Sequence, residues 1–341
     1  MGIKNLNKFI TENFPEVIRY KNLSDLSGKI IAIDASNILY KKVINSRKNG
    51  YDLVNSDNMI VSHILGLFNN TIQLLLHNII PIYVFDGEPD DIKNKTLECR
   101  SKIKNKAQEK LLTANNIEEK IKYFKRTVVI TSEQIEQCKE LLDYMGVPYV
   151  EAEEEADSEM AELCKNNLVD GVLTEDMDIL TFGSPNIIKN LFSNNLPIYE
   201  INQKELLQKL NLNFEQFVEL CILFGCDYCE HLNIKPSIIY NIYIKNKSIE
   251  TTLNELKNNG HKIPSEFNYM DAKKYFLSSV HSNNKYNFKL KKPDLGKLLK
   301  LLVKDCELLR NKIVPKITKL YLYYQNQVKS KSLKDLSNII K

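Results

Sequence analysis

The run Lys29-Ile30-Ile31-Ala32-Ile33-Asp34 decides the fold class, because it is short, β-branched, apolar and closed by an acid. Two further runs repeat that design, Pro81 to Asp86 and Gly171 to Asp176. Each reads as a buried strand with its acid at the carboxyl end. Helical patterns lie between them: Met59 to Leu76, with Ile60, Ile64, Leu67, Phe68, Ile72 and Leu75 on one face, and Ser132 to Met145, with Ile135, Cys138, Leu141 and Leu142. Strands alternating with helices predict an α/β fold built on a mostly parallel sheet. Ligands of such sheets bind outside the carboxyl ends of the strands, where Asp34, Asp86 and Asp176 are expected to converge. A single aspartate after a strand is often a turn residue or a helix N-cap. Three at one sheet edge favour a site.

Beyond Glu200 the pattern turns helical, over Gln203 to Leu210, Asn213 to Gly225, Lys235 to Ile244, Ser248 to Asn258 and Gly296 to Leu309. The 341 residues, 43% hydrophobic and 26% charged, suit a soluble chain with a packed core of one large or two modest domains. No run approaches the roughly 18 apolar residues of a membrane span, and Met1 to Phe9 lacks a secretory segment. Leu6 stands where a myristoylation signal needs Ser or Thr. An intracellular, soluble protein is expected. Seven scattered cysteines fit reduced thiols rather than a disulfide framework. Cys226 and Cys229 form a lone CxxC without the second pair or the histidines of a zinc site.

The net charge is only +4, but eleven bases against four acids leave +7 between Ile92 and Arg126. Most of those lysines read as a solvated helix face. Lys93 and Arg100 stand apart: seven residues separate them, which places both on one helical face just beyond Asp86, within reach of one phosphate.

Acids gather again at Glu151 to Glu162 and at Glu175, Asp176 and Asp178. Clustered carboxylates without His or Cys suit hard cations such as Mg²⁺, and two ions about 4 Å apart can clamp both oxygens of a phosphodiester displacement. Spacing does not choose among the acids after Glu151, since a helix N-terminus attracts acids in any case. Asp176 and Asp178, two apart in an extended backbone, would point the same way as paired ligands.

These residues resemble the flap endonucleases, structure-specific 5′ nucleases of DNA replication and repair, from Met1 to about Asn246. The matching strings are MGIKNL at 1–6, IAIDAS at 31–36, YVFDGEP at 83–89, CKELLDYMGVPYVEAEEEAD at 138–157, TEDMDILTFGSP at 174–185 and CILFGCDYCEHL at 221–232. The resemblance implies helices on both faces of the sheet, a helical arch over the active site and a helical, DNA-binding C-terminal part. It divides the chain into an N-terminal nuclease region (1–110), an arch insertion (92–130), an internal nuclease region with a duplex-binding hairpin (131–246) and a helical extension (247–341).

By the same resemblance the metal-binding acids are Asp34, Asp86, Glu155, Asp157, Asp176, Asp178 and Asp227, with Asp157 standing where the family usually has Glu. They would hold two Mg²⁺ ions, with Mn²⁺ as a substitute. Lys93 and Arg100 take the arch positions that hold the scissile phosphate. Tyr40 matches the aromatic that stacks on a base at the cleavage site. Arg47 and Gly225 fall at DNA-contacting positions, Asn70 replaces an arginine there, and Gly2, once Met1 is removed, brings a free α-amine near the site.

Leu111 to Phe124 completes a full-length arch, so a 5′ single strand would thread through a basic funnel whose grip weakens with salt. The family's glycine-rich hairpin reads Asn233-Ile234-Lys235-Pro236, without either glycine. That weighs against a potassium ion there and makes Lys235 the expected phosphate contact. Leu333, Leu336 and Ile339 have helical spacing in the tail, but the Gln and paired aromatics of a sliding-clamp motif are missing.

The expected activity is Mg²⁺-dependent cleavage of 5′ flaps on branched DNA, with 5′→3′ exonuclease activity, by a monomer in the nucleus or at a site of DNA replication. The rivals are a processive 5′→3′ exonuclease, recognisable by a ladder of mononucleotide products, and a non-catalytic DNA-binding assembly factor. All seven acids being present argues against the second.

Overall fold

The computed structural model describes residues 2–339 apart from 48–49, 88–93, 115, 194, 266, 279–285 and 287, with side chains described outside 94–100 and 329–339. Among the described residues seven strands form one sheet: β1 Ile18–Lys21, β2 Ile30–Asp34, β3 Ile80–Phe85, β4 Tyr149–Glu151, β5 Gly171–Leu173, β6 Asn186–Lys189 and β7 Ile198–Asn202. Their order is β1-β7-β6-β5-β2-β3-β4. The run from β6 to β4 is parallel, and β7 and β1 close one edge antiparallel.

Pleating sends alternate residues of each strand to opposite faces. Ala32, Ile82, Val84, Val172, Ile187 and Ile201 belong to one core, packed with residues of helices Leu6–Asn13, Ala156–Lys165 and Phe214–Phe224. Ile31, Ile33, Tyr83, Phe85, Leu173 and Ile188 belong to the other, under helices Ser62–Leu76 and Ser132–Met145 and residues Ile313, Ile317 and Leu320 near the C-terminus. Both faces are buried, which is why the strands read as apolar runs rather than alternating ones. Each fully buried aliphatic contributes about 1.5–3 kcal/mol against exposure.

Register levels the strand ends: Asp34 lies opposite Val84, and Ile33 opposite Leu173. One expected strand is shorter than its pattern, for β5 stops at Leu173 instead of reaching Asp176. The Thr174 hydroxyl accepts the Asp176 amide at 3.0 Å, a local bond that replaces the sheet ladder. Asp178 then opens a short helix, Asp178–Thr181. Asp176 and Asp178 are therefore held by a turn and not by pleat alternation, with the Asp178 amide donating to Asp176 Oδ1 at 3.3 Å.

From the carboxyl end of β3 the chain leads into two packed helices, Asn94–Thr113 and Ile117–Arg126. The helical remainder follows the expected pattern, with Gln203–Leu210, Phe214–Phe224, Pro236–Asn246 and Ile249–Asn258. Two features depart from it. Tyr269–Leu277 forms a further helix, and the expected helix Gly296 to Leu309 is instead Leu295–Leu299 continued by a π-helical turn, Lys300–Asp305. Glu307 leaves it with φ 53°, and helix Arg310–Ile339 follows.

Candidate active site

Asp34 ends β2 and caps helix Ala35–Ser46, accepting the Asn37 amide at 2.8 Å. Asp86 follows β3 by one residue and accepts from the Ala156 amide at 3.1 Å and from the Ser36 hydroxyl at 2.5 Å. Asp86 thereby joins the starts of helices Ala35–Ser46 and Ala156–Lys165. Glu155 is the N-cap residue of the second helix, is buried, and accepts from the Tyr228 hydroxyl at 2.7 Å. That bond carries the turn holding Asp227 to the cluster.

These carboxylates repel one another. Burial, then the nearby charges of Asp86 and Asp176, raise Asp34 to about 7 against the opposing Asn37 amide and Lys41. Burial drives Asp157 well above the usual carboxylate range, and Asp176, Asp34, Asp178 and Glu155 push it the same way. Asp157 Oδ1 is buried with no hydrogen-bond partner among the described residues. As they stand, no three His, Cys, Asp or Glu side chains among the described residues close on one point tightly enough to hold an ion. An all-carboxylate set with an orphaned buried oxygen still fits a hard cation, which would provide the missing countercharge.

Gly2 closes one side of this cluster. Its φ is +79°, and a Cβ there would stand 1.6 Å from Asp176 Oδ1 and 2.6 Å from Asp178 Oδ1. Two residues on, the Lys4 amide donates to the Gly225 carbonyl at 2.9 Å. Gly225 has φ +112°, and a Cβ on it would meet His231 Nδ1 at 2.7 Å. Burial lowers the Lys4 amine, and Asp227 pulls it back up. Asp227 thus sits among Lys4, His231 and the N-terminal segment.

The remaining expected residues occupy varied settings. Tyr40 presents an exposed ring on helix Ala35–Ser46, 39% accessible. Arg47 is buried and engaged within the protein: Nε and Nη2 bind Asp52 at 2.6 and 3.0 Å, Nη1 donates to the Phe124 carbonyl at 2.7 Å, and the guanidinium lies 4.1 Å from the Phe124 ring centre. It joins the body to helix Ile117–Arg126. Asn70 is buried and its Nδ2 has no hydrogen-bond partner among the described residues. It lines a cavity of about 500 Å³ that reaches Asp34. Lys235 is exposed ahead of helix Pro236–Asn246, with Pro236 at its first position. Lys93 lies outside the described residues. Arg100 falls on helix Asn94–Thr113, its side chain outside them.

Sequence reading missed Lys189, which is 3% exposed at the end of β6. Its Nζ donates to the Glu175 carbonyl at 2.7 Å and reaches Met177 Sδ at 3.3 Å, on either side of Asp176. A strand of sequence Asn-Ile-Ile-Lys gives no sign that its lysine points inward. Ser36 and Tyr228 were also missed, since both act through a carboxylate distant in sequence.

Two family models match the chain: the XPG N-terminal domain over residues 1–107 and the XPG I-region over 146–227. All seven expected acids fall inside those blocks. Flap endonuclease 1-A of Sorghum bicolor is 38% identical over 313 residues, covering 89% of this chain and 82% of that relative. The chain belongs to the flap endonuclease family. A solved flap endonuclease-1 from Methanococcus jannaschii superposes with a TM-score of 0.71 at 31% identity, over 91% of this chain and 97% of that one. The catalytic core of Rad2 in complex with DNA substrate has the same fold, with a TM-score of 0.70 at 23% identity over 94% of this chain and 100% of that one. In this chain the acids at the sheet edge lie in the matched blocks, while residues 108–145, with helix Ile117–Arg126, lie between them.

Proposed function

We propose that this flap endonuclease cuts 5′ flaps at the junction of single-stranded and duplex DNA, with two Mg²⁺ ions held by Asp34, Asp86, Glu155, Asp157, Asp176, Asp178 and Asp227. The observation that carries the reading is the mutual crowding of Asp34, Asp86, Glu155, Asp157, Asp176 and Asp178, delivered from strand ends and helix starts with no His or Cys ligand between them. When bound, the ions supply the positive charge that activates water and neutralises the phosphodiester. Mn²⁺ has the same preference for oxygen and serves as a substitute.

The chain's own residues do the rest. Ser36 and the Ala156 amide fix the Asp86 carboxylate, Tyr228 fixes Glu155, and Lys189 holds the Glu175 carbonyl and the Met177 sulfur that flank Asp176. Lys93 and Arg100 carry positive charge to the scissile phosphate and stabilise the charge developing on it. The exposed ring of Tyr40 stacks on a base at the junction. Gly225 and the exposed Lys235 face duplex phosphate, the latter beside the amides of a helix start. Asn70 takes a neutral contact where a longer cation would fit the family pattern. Arg47 acts on DNA indirectly, by docking the arch.

The segment 92–130 serves as the arch, 1–110 and 131–246 as the nuclease regions, and 247–341 as a helical extension. The substrate is branched DNA and the working form a monomer. Among the described residues no helix is long and apolar enough to cross a membrane. The tail helix through Leu333, Leu336 and Ile339 is a candidate surface for a sliding clamp at a site of DNA replication. The test is cleavage of a flapped duplex by the Asp176→Ala protein. Abolished cleavage with flap affinity retained supports the reading, and lost affinity assigns the acid to the fold instead.

A further inference from the structure

The turn Cys226-Asp227-Tyr228-Cys229 carries two thiols that the proposed chemistry does not use. Their sulfurs lie 3.6 Å apart, and among the described residues no other thiol pair is within hydrogen-bond distance. Cys226 is buried, while Cys229 is only partly so and offers the more accessible sulfur. The two residues between them belong to the site. Asp227 is one of the assigned acids, and Tyr228 holds Glu155 at 2.7 Å while its ring packs 4.7 Å from Tyr275 and 5.0 Å from Phe276.

A disulfide needs its sulfurs at about 2.0 Å. Closing the gap draws the ends of the four-residue turn together. The connecting backbone is neither helix nor strand, and Asp227 and Tyr228 are the only residues between the two cysteines, so closing the bridge moves them.

We propose that Cys226 and Cys229 are a modification site, oxidised by a peroxide to a reversible disulfide that withdraws Asp227 and Tyr228 from the acidic cluster and suppresses cleavage. The effect on cleavage rests on the function proposed above. In the first step the Cys229 thiolate attacks one oxygen of hydrogen peroxide, the O–O bond breaks, and the leaving oxygen takes a proton to become water. Cys229 is then a sulfenic acid. In the second step the Cys226 sulfur attacks the Cys229 sulfur, the S–O bond breaks, and hydroxide leaves with the Cys226 proton as water. Two thiols lose two electrons and two protons, and one peroxide is reduced to two waters. A small dithiol restores the thiols by exchange.

The experiment treats the full chain with hydrogen peroxide, blocks remaining thiols by alkylation, and reads the peptide spanning 226–229 by mass. A flap-cleavage assay follows, before and after dithiothreitol. The expected peptide is lighter by two hydrogens and unalkylated at both cysteines. Cleavage falls by about tenfold or more and returns on reduction. Cys226→Ser and Cys229→Ser proteins, each checked for an unchanged melting profile, keep their cleavage rate in peroxide. Free or over-oxidised thiols at 226 and 229 in excess peroxide overturn the proposal, as does a cross-linked protein that cuts at the reduced rate. Failure of the function itself reads differently: the reduced protein then cuts no flap, whatever the peptide mass shows.

Discussion

Replacing Gly2 by alanine perturbs the acidic cluster through a single carbon. The new Cβ would stand 1.6 Å from Asp176 Oδ1, where ordinary contact begins near 3.4 Å, so one partner has to move by about 2 Å. Asp178 Oδ1 at 2.6 Å blocks the neighbouring direction. Alanine also pays about 1–2 kcal/mol to keep the left-handed backbone that glycine adopts freely at φ +79°. The chain relieves both by shifting its terminal residues or by turning the Asp176 carboxylate, and each route misplaces a metal-binding acid. A misplacement of about 1 Å in a catalytic constellation costs about 10²-fold, so a loss of about 10²-fold in single-turnover flap cleavage is expected. The melting temperature should fall by no more than about 2–4 °C, because the strain is local to Gly2 and the two carboxylates it meets. A quenched-flow cleavage assay run alongside a thermal melt separates the two. Cleavage at the unmodified rate would refute the placement of Gly2 against Asp176.

Arg47→Ala leaves Asp52 without its bidentate partner and removes the stacking on Phe124, at a cost of about 3 kcal/mol. Faster proteolysis within 94–126 and slower cleavage of long flaps are expected, and denaturant unfolding reads the stability loss. Lys189→Met keeps the side-chain volume but frees the Glu175 carbonyl. The Mg²⁺ concentration for half-maximal cleavage should rise about 10–100-fold with the fold intact, as for other supports of metal ligands. Stripping divalent cations exposes the crowded carboxyls. With Asp34 raised to about 7 in the fold from 3.8 when unfolded, the native state binds more protons between those values, so the stripped protein loses stability as pH rises through them. Adding Mg²⁺ should therefore raise the melting temperature more at pH 7.5 than at pH 5.5, and equal increments would contradict the arrangement.

The parts legible in sequence were those set by local pattern. β2 and β3 are continuous apolar runs, and an acid at the end of such a run can be placed at the sheet edge before any tertiary contact is known. The same logic failed at Asp176, where the Thr174 hydroxyl ends β5 early; competition between a side chain and the sheet for one amide leaves no periodic trace. The edge strand β1 is short and draws its identity from pairing with β7, more than a hundred residues away, while the short β6 and β7 are defined by pairing with each other. Lys189 and Arg47 are both cations whose burial depends on partners far away or on packing from another element, so composition alone reads them as surface. The π-helical turn at Lys300–Asp305 hides inside a pattern that looks like one regular helix.

The decisive measurement is cleavage of a 5′-flapped duplex in Mg²⁺, with and without a bulky block on the flap's 5′ end. One product of about the flap's length, lost when the end is blocked and lost without the cation, is the predicted result. A ladder of mononucleotides, or a blocked flap cut as fast as a free one, would contradict it.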